Sequence, residues 1–363
     1  MAIAAAPPAP GLTVELALAH AARAATSWFG GQESSRSAAL AQLMMSMSFV
    51  RRAVAGDPGW RKPHEFIALL EQPAASWLPG APDLPLVEAG APSAFCEDLI
   101  AESGGEPEAE LVQLRVGEAR QRFGSMPNGE DEYRRFREYL ATHGWATQLD
   151  AARAVVRSGV PLAELYEAVP RECLQTTGTK PVFFPCPRCK WPMRISSDRT
   201  QCAAAECRAL GSIFRSGSGK LVALGRRAAP APIPAEGNVR LRRGAWRYTL
   251  LPGLVELDLA RRLRRVDGVS VVLWPQRDRY DLHVARGQRS WRVDLKAWSD
   301  ALALARRLIA KPPESGTFIV VPDRSRAQVR VLEERCLALN CHFLSASQFV
   351  RVVESRPSRG RKS

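Results

Sequence analysis

Apolar residues recur at helical spacing through the first part of the chain, over Leu12–Trp28 and Ser37–Ala55. Pro73, Pro79, Gly80, Pro82, Pro85 and Pro92 then break the pattern and mark a linker. Residues 97–110, EDLIAESGGEPEAE, are acidic and interrupted by a Gly pair, which predicts a surface loop. Helical spacing resumes over Leu111–Phe123, Glu130–His143, Gln148–Arg157 and Pro161–Ala168. Gly144 and Gly159 stand where C-caps would end two of these helices, and Pro161 suits a helix start. The last pair has the outline of a helix-turn-helix. A DNA-reading second helix, however, presents Arg, Lys, Asn or Gln to base edges, and this one presents Glu164 and Glu167. An ordinary helical hairpin is the expectation.

Between Leu221 and Asn238 the stretch GRRAAPAPIPAEGN has no period and reads as a linker. Beyond it, short Val- and Leu-rich runs alternate with helical segments. Leu254–Val266 predicts a helix, Val269–Trp274 a strand, and Pro275–Arg279 a turn. Tyr280–Ala285 and Ser290–Ala297 predict two more strands around a hairpin at Arg286–Gln288. A helix over Ser299–Ala310, a strand over Gly316–Val321, a helix over Arg324–Leu339 and a strand over Cys341–Leu344 complete the string αβββαβαβ, with a helix after it.

Charge sharpens this division. Residues 1–179 carry 15 Lys and Arg against 22 Asp and Glu, residues 180–239 carry 10 against 3, and residues 240–363 carry 26 against 12. All of the excess positive charge therefore lies in the second half, which suits a nucleic-acid-facing module joined to an acidic, partner-facing one. The alternative is a solvated basic surface with no ligand. The basic end, Arg356–Lys362, would add sequence-independent affinity for a polyanion. With 46% hydrophobic residues the chain has enough apolar material for packed cores. It shows no secretory signal and no apolar run long enough to span a bilayer, so a cytoplasmic protein with no membrane partner is expected.

Four of the eight cysteines crowd into one short stretch: Cys186 and Cys189, then Cys202 and Cys207. Two close pairs separated by a hairpin-length insert can set four thiolates tetrahedrally around one Zn2+. Four soft ligands leave no open position, so this zinc would be structural. Trp191, Met193 and Ile195 alternate on the insert and predict a small strand. The region resembles a zinc ribbon, a class that often contacts nucleic acid or protein. Lys180, Arg188, Lys190, Arg194 and Arg199 are the residues that would meet DNA, and a purely architectural role is the alternative. Cys96, Cys173, Cys336 and Cys341 are expected as inert thiols.

The basic C-terminal region holds the chemistry. Asp281 falls near the start of its second strand and Asp294-Leu295-Lys296 in its third. Alternation along a strand turns Asp294 and Lys296 to one side and Leu295 to the other, and the hairpin brings Asp281 alongside. Charges within apolar strands are unfavourable unless paired or metal-bound, and a divalent cation accounts for all three. This pattern resembles the PD-(D/E)xK nuclease superfamily over roughly residues 240–355. The resemblance implies a restriction-endonuclease-like αβββαβ core, with Asp281, Asp294 and Lys296 catalytic and Tyr280 in place of the usual proline. It also implies a Mg2+ or Mn2+ held by Asp281, Asp294 and the Leu295 carbonyl. Glu256, on the preceding helix, matches an auxiliary metal-linked Glu. Asp258 is nearly opposite on that helix, so only one of the two can face the site. Lys296 would orient water and offset phosphoryl charge. More narrowly, the helical N-terminal part, the ribbon and RRGAWRYTLLPGLVELDL resemble restriction-endonuclease-like proteins of prokaryotic Piwi-type defence islands. That resemblance implies a Piwi-like protein and a helicase as partners.

The expected layout is a helical N-terminal region (1–72), a Pro-rich and acidic linker (73–110) and a helical domain (111–179). A zinc ribbon (180–220), a linker (221–239), an α/β nuclease domain (240–355) and a basic tail (356–363) follow. The expected activity is metal-dependent hydrolysis of DNA phosphodiester bonds in restriction or in anti-phage and anti-plasmid defence, with homodimerisation as one route to cutting both strands. The alternatives are a catalytically silent DNA-binding scaffold, or a nuclease acting on RNA or on repair intermediates. His283 is read as a hydrogen-bonded neighbour that otherwise touches the metal shell, and Asp300 as a helix-start residue. Trp246 and Tyr248, among Arg240, Arg242, Arg243 and Arg247, either meet DNA or anchor the domain on its core.

Overall fold

The structure, a computed structural model, describes residues 14–29, 36–54, 59–102, 107–177, 180–196, 199–217, 220–224 and 227–355. Arg356–Lys362, the expected basic tail, lies outside the described residues. The chain divides into two compact units, each assembled from separated stretches. One comprises Met1–Pro107, Val169–Arg188 and Pro192–Glu236; the other comprises Glu108–Ala168, Cys189–Trp191 and Gly237–Ser363.

In the first unit, helices span Val14–Phe29, Arg36–Ala53, Pro63–Leu70 and Ala94–Glu102. Their core is rich in small residues: Ala17, Ala21, Ala22, Ala24 and Ala25 are wholly buried with Leu43, Val50 and Phe66. The acidic stretch 97–110 is helical where it is described, at the end of Ala94–Glu102 and the start of Pro107–Gly124, and not the surface loop expected. Cys96 and Ile100, one helical turn apart, are buried in the core, and that short apolar stripe outweighs the acidic neighbours. The same unit carries an antiparallel sheet in the order Lys220–Ala223, Ile213–Gly217, Arg199–Gln201, Arg194–Ile195. Of the alternating insert only Arg194–Ile195 is a strand; Trp191 and Met193 are buried beside it in sequence. The stretch between 221 and 239 is not all linker, since Ile233–Pro234 pairs with Lys180–Phe183.

In the second unit, the helices Pro107–Gly124, Gly129–Thr142 and Gln148–Val155 accompany a small sheet of Trp145–Thr147, Asn238–Leu241 and Tyr166–Ala168. Here Pro161–Ala168 departs from its expected helix: only Leu162–Leu165 is helical, and Tyr166–Ala168 is a strand. Its partner, Asn238–Leu241, lies some seventy residues downstream in the register Val239↔Ala168, so no local pattern signals it.

The rest of this unit is a five-stranded sheet with helices on both faces. In order come α1 (Leu251–Leu263), β1 (Val269–Leu273), β2 (Leu282–Arg286), β3 (Arg289–Leu295), α2 (Ala301–Ala310), β4 (Thr317–Val321), α3 (Gln328–Arg335), β5 (Cys341–Ser345) and α4 (Ala346–Glu354). The element order is the one that the hydrophobic pattern predicts. Strands β1, β2 and β3 are antiparallel, and β3, β4 and β5 are parallel. Leu304 and Leu308 of α2 and Val329 and Leu332 of α3 pack with Ile319 and Val321 of β4. Phe318, which points the other way, meets Phe349 of α4 at 5.5 Å between ring centres. Helix α3 is shorter than the Arg324–Leu339 expected at both ends: Asp323–Ser325 forms a separate 3-10 turn, and the helix stops at Arg335. Helix α1 continues from a π-helical turn, Trp246–Leu250, that precedes its expected start.

Candidate active site

The hairpin of β2 and β3 sets the site. Leu282 lies opposite Val293, so one step further Asp281 falls across from Asp294 at the end of the sheet. Like charges directly opposite on a sheet repel. The Asp281 carboxylate meets this by turning to the main chain, where Oδ2 accepts the Leu295 amide at 2.6 Å. Lys296 Nζ lies 3.5 Å from Asp294 Oδ2, so these two side chains share a side as alternation requires, while Leu295 is buried. The Lys296 amide donates to the Val320 carbonyl, which ties this end of β3 to β4.

Helix α1 adds Glu256. Its side chain is 5% exposed, whereas Asp258 is turned outward and paired with Arg261 at 3.1 Å. The helix therefore presents Glu256, and not Asp258, to the interior. Glu256 Oε2 accepts from Trp274 Nε1 and lies 3.8 Å from Arg137. Arg137, from the Gly129–Thr142 helix, also donates to Asp278 Oδ2 at 3.2 Å and to the Thr249 carbonyl at 2.8 Å. Tyr133 of the same helix donates to Asp278 Oδ2 at 2.9 Å. Gly253 makes this approach possible, since a Cβ there would stand 2.6 Å from the Ala141 Cβ. Trp274, Gln276, Arg277 and Asp278 all have positive φ, between 47° and 73°. Such a run of non-glycine residues is strained, and the surrounding hydrogen bonds must hold it. Sequence reasoning missed Arg137, Trp274 and Asp278. Arg137 is far away in the chain, and nothing in WPQRD signals a left-handed turn.

Burial, reinforced by Glu256 and Asp294, pushes the Asp281 carboxyl well above the usual carboxylate range. Burial likewise raises Glu256, against the opposing pull of Arg137. For Lys296 burial alone would favour the neutral amine, but Asp281, Asp294 and Glu256 outweigh it and raise the ammonium above its ordinary value. Fully ionised, Asp281, Asp294 and Glu256 would carry more negative charge than Lys296 balances, and it is this crowding with burial that raises the carboxyls. Hard oxygen donors crowded so that they cannot all ionise without a counter-charge fit a divalent cation of the Mg2+ or Mn2+ kind. The three carboxylates do not gather as tightly as cysteines do elsewhere. Among the described residues, only Cys186, Cys189, Cys202 and Cys207 bring three or more candidate ligand atoms all within 4.8 Å of one another.

Those four cysteines are buried, and none of the chain's cysteines is in a disulfide. Four clustered sulfurs of this kind fit a tetrahedral Zn2+. Gly144 lets the knuckle approach, because a Cβ there would meet the Cys189 carbonyl at 2.4 Å. Of the basic residues near the ribbon, Arg188 pairs with Glu206 at 3.2 Å and Arg194 donates to the Phe29 carbonyl at 2.6 Å. Both therefore do structural work.

The remaining candidates resolve by geometry. His283 Nδ1 is 3.2 Å from the Tyr280 hydroxyl, which makes it a hydrogen-bonded neighbour. Asp300 caps α2 by accepting the Leu302 amide at 2.8 Å. Trp246 is buried and stacked on Trp191 at 4.4 Å, so it anchors the core and does not face DNA. Arg240 lies over Trp191 and is paired with Glu167 at 2.8 Å. No described helix is long and apolar enough to cross a membrane.

Residues 253–361 match the family model described as REase associating with pPIWI_RE. No curated protein and no solved structure matches the chain. The matched stretch takes in the five-stranded sheet and nearly all of its flanking helices, and this part of the chain is similar to the restriction-endonuclease-like proteins associated with pPIWI_RE.

Proposed function

We propose that the C-terminal domain is a metal-dependent endonuclease that hydrolyses DNA phosphodiester bonds, in restriction or in defence against phage and plasmids. The observation that carries this reading is the placement of Asp281 across from Asp294 with Lys296 beside it, inside a restriction-endonuclease-like domain. Asp281, Asp294 and the Leu295 carbonyl would hold Mg2+ or Mn2+, with Glu256 as an auxiliary carboxylate. The bound ion supplies positive charge to the phosphoryl oxygens and makes water more acidic.

The chain's own groups do the rest. Lys296, kept protonated by its three carboxylates, offers a compact charge to the phosphoryl oxygens as negative charge builds on them. Asp294 holds that ammonium on the side of the attack. The Leu295 amide fixes the Asp281 carboxylate, and Trp274 with Arg137 fixes Glu256, so little reorganisation is needed when substrate arrives. A structural Zn2+ on the four cysteines would order the ribbon. A Piwi-like protein is the first proposed partner, a reading supported by the description of the matching family as associating with pPIWI_RE. A helicase and a second copy of this chain are further proposed partners.

Supercoiled plasmid incubated with Mg2+, Mn2+ or EDTA, beside Asp294→Ala, tests the activity. Nicking or linearisation that needs metal and is absent in the variant is expected. DNA binding without cleavage by the wild-type protein would favour the silent-scaffold reading. Cleavage of duplex RNA in preference to DNA would move the substrate class.

A further inference from the structure

We infer that a cleft beside the Gly129–Thr142 helix binds an unpaired nucleobase together with its phosphate. The cleft, of about 700 Å³, has the size of a small-ligand site and lies wholly outside the stretch that matches the nuclease family. One wall is aromatic. His143 lies flat on Tyr139, with ring centres 4.1 Å apart and planes 13° apart. Half-buried Trp145 adds a third ring, carried on a strand that Asn238–Leu241 holds in register.

The rim is basic. Arg153 is 70% exposed, and Lys190 is exposed at the turn of the Cys189 knuckle with a φ of 60°. The cleft's acidic group, Asp150, is engaged: its carboxylate accepts from Thr147 Oγ1 at 2.8 Å and lies 3.9 Å from Arg153. Aromatic rings offer a stacking surface to any base, and flanking cations meet its phosphate. A base inside a duplex has both faces covered by its neighbours, so the cleft selects single strands, frayed ends or displaced bases. This inference deepens the nuclease reading and rests on it for the class of ligand.

The test uses the full chain in EDTA, so that binding is read without cleavage. Fluorescence anisotropy would follow a labelled short oligodeoxyadenylate, and the blunt duplex it forms with oligothymidylate. The wild-type protein is expected to bind the single strand more tightly than the duplex. Trp145→Ala should weaken single-strand binding by roughly tenfold with duplex binding unchanged, and Trp145→Phe should restore most of it. Arg153→Glu changes an exposed side chain that the fold does not need, and should weaken single-strand binding in the same direction at an unchanged Tm. Equal single-strand binding by the wild type and all three variants overturns the inference, as does failure of the wild type to bind the single strand. The plasmid assay separates the two readings. Cleavage without the Trp145 effect removes the cleft alone, and the Trp145 effect without cleavage removes the nuclease alone.

Discussion

At Lys296 two influences meet: burial disfavours its charge, and Asp281, Asp294 and Glu256 restore it. Its proposed role is therefore that of a fixed cation, and Lys296→Met should lower cleavage roughly 100-fold or more while leaving the fold intact, as read by single-turnover cleavage beside circular dichroism. Asp281 shows the reverse balance. Its folded-state pKa lies above the unfolded value, chiefly through burial and Glu256. Without metal, its favourable contribution is fully present below the ordinary carboxylate range and is lost as pH rises through the raised value. In EDTA, Asp281→Asn should thus melt above the wild type at neutral pH, and the gap should close in acid. Added Mg2+ should stabilise only the wild type. Thermal unfolding across pH checks this, and an Asn variant less stable than the wild type at neutral pH would contradict it.

Two elements give the site its shape, a regular hairpin and an irregular turn. The hairpin places Asp281 opposite Asp294 by register alone. The turn, with positive φ at Trp274, Gln276, Arg277 and Asp278, is held from outside by Arg137 and Tyr133. Arg137 is 7% exposed and sits between Glu256 and Asp278, so its removal takes the paired cation from buried Glu256 and leaves Asp278 with Arg120 alone, at 3.5 Å. Arg137→Met is expected to destabilise the second unit by about 3–5 kcal/mol. Adding Glu256→Gln should recover part of that loss, as a double-mutant cycle in urea would reveal. Additive losses would mean that the two residues do not interact.

On the scale of the molecule, the compact unit that holds the restriction-endonuclease-like domain is not built from the C-terminal stretch alone. Residues 108–168 belong to the same compact unit as residues 237–363. A fragment beginning at residue 240 lacks the helix that carries Arg137, and its α1 loses the neighbour against which Gly253 packs. Such a fragment should show no cooperative thermal unfolding. The ribbon supplies the other test at this scale. Four buried cysteine sulfurs without a metal leave little else to organise their short strands, so a strong chelator or Cys202→Ser should melt the Arg194–Ala223 sheet. Metal analysis of the native protein should return zinc in proportion to chain. Unchanged melting after chelation would argue against a structural metal.

Local pattern was enough for much of this protein. Period-two and helical spacing determined the element order after residue 240, because each strand and helix there buries one face and its composition records that face. Close cysteine pairs announced a cluster of four candidate metal ligands, since ligand spacing is itself local. The Asp294-Leu295-Lys296 alternation needed only the pleat of a strand. What the tertiary structure decided depends on partners distant in the chain. Tyr166–Ala168 became a strand because Asn238–Leu241 pairs with it, and the acidic stretch near residue 100 became helical because Cys96 and Ile100 reach a core. Glu256 was chosen over Asp258 by the way α1 packs, and Arg137 entered the site through a close helix approach at Gly253. Sequence periodicity reports which face of an element is buried; only packing determines what that face is buried against.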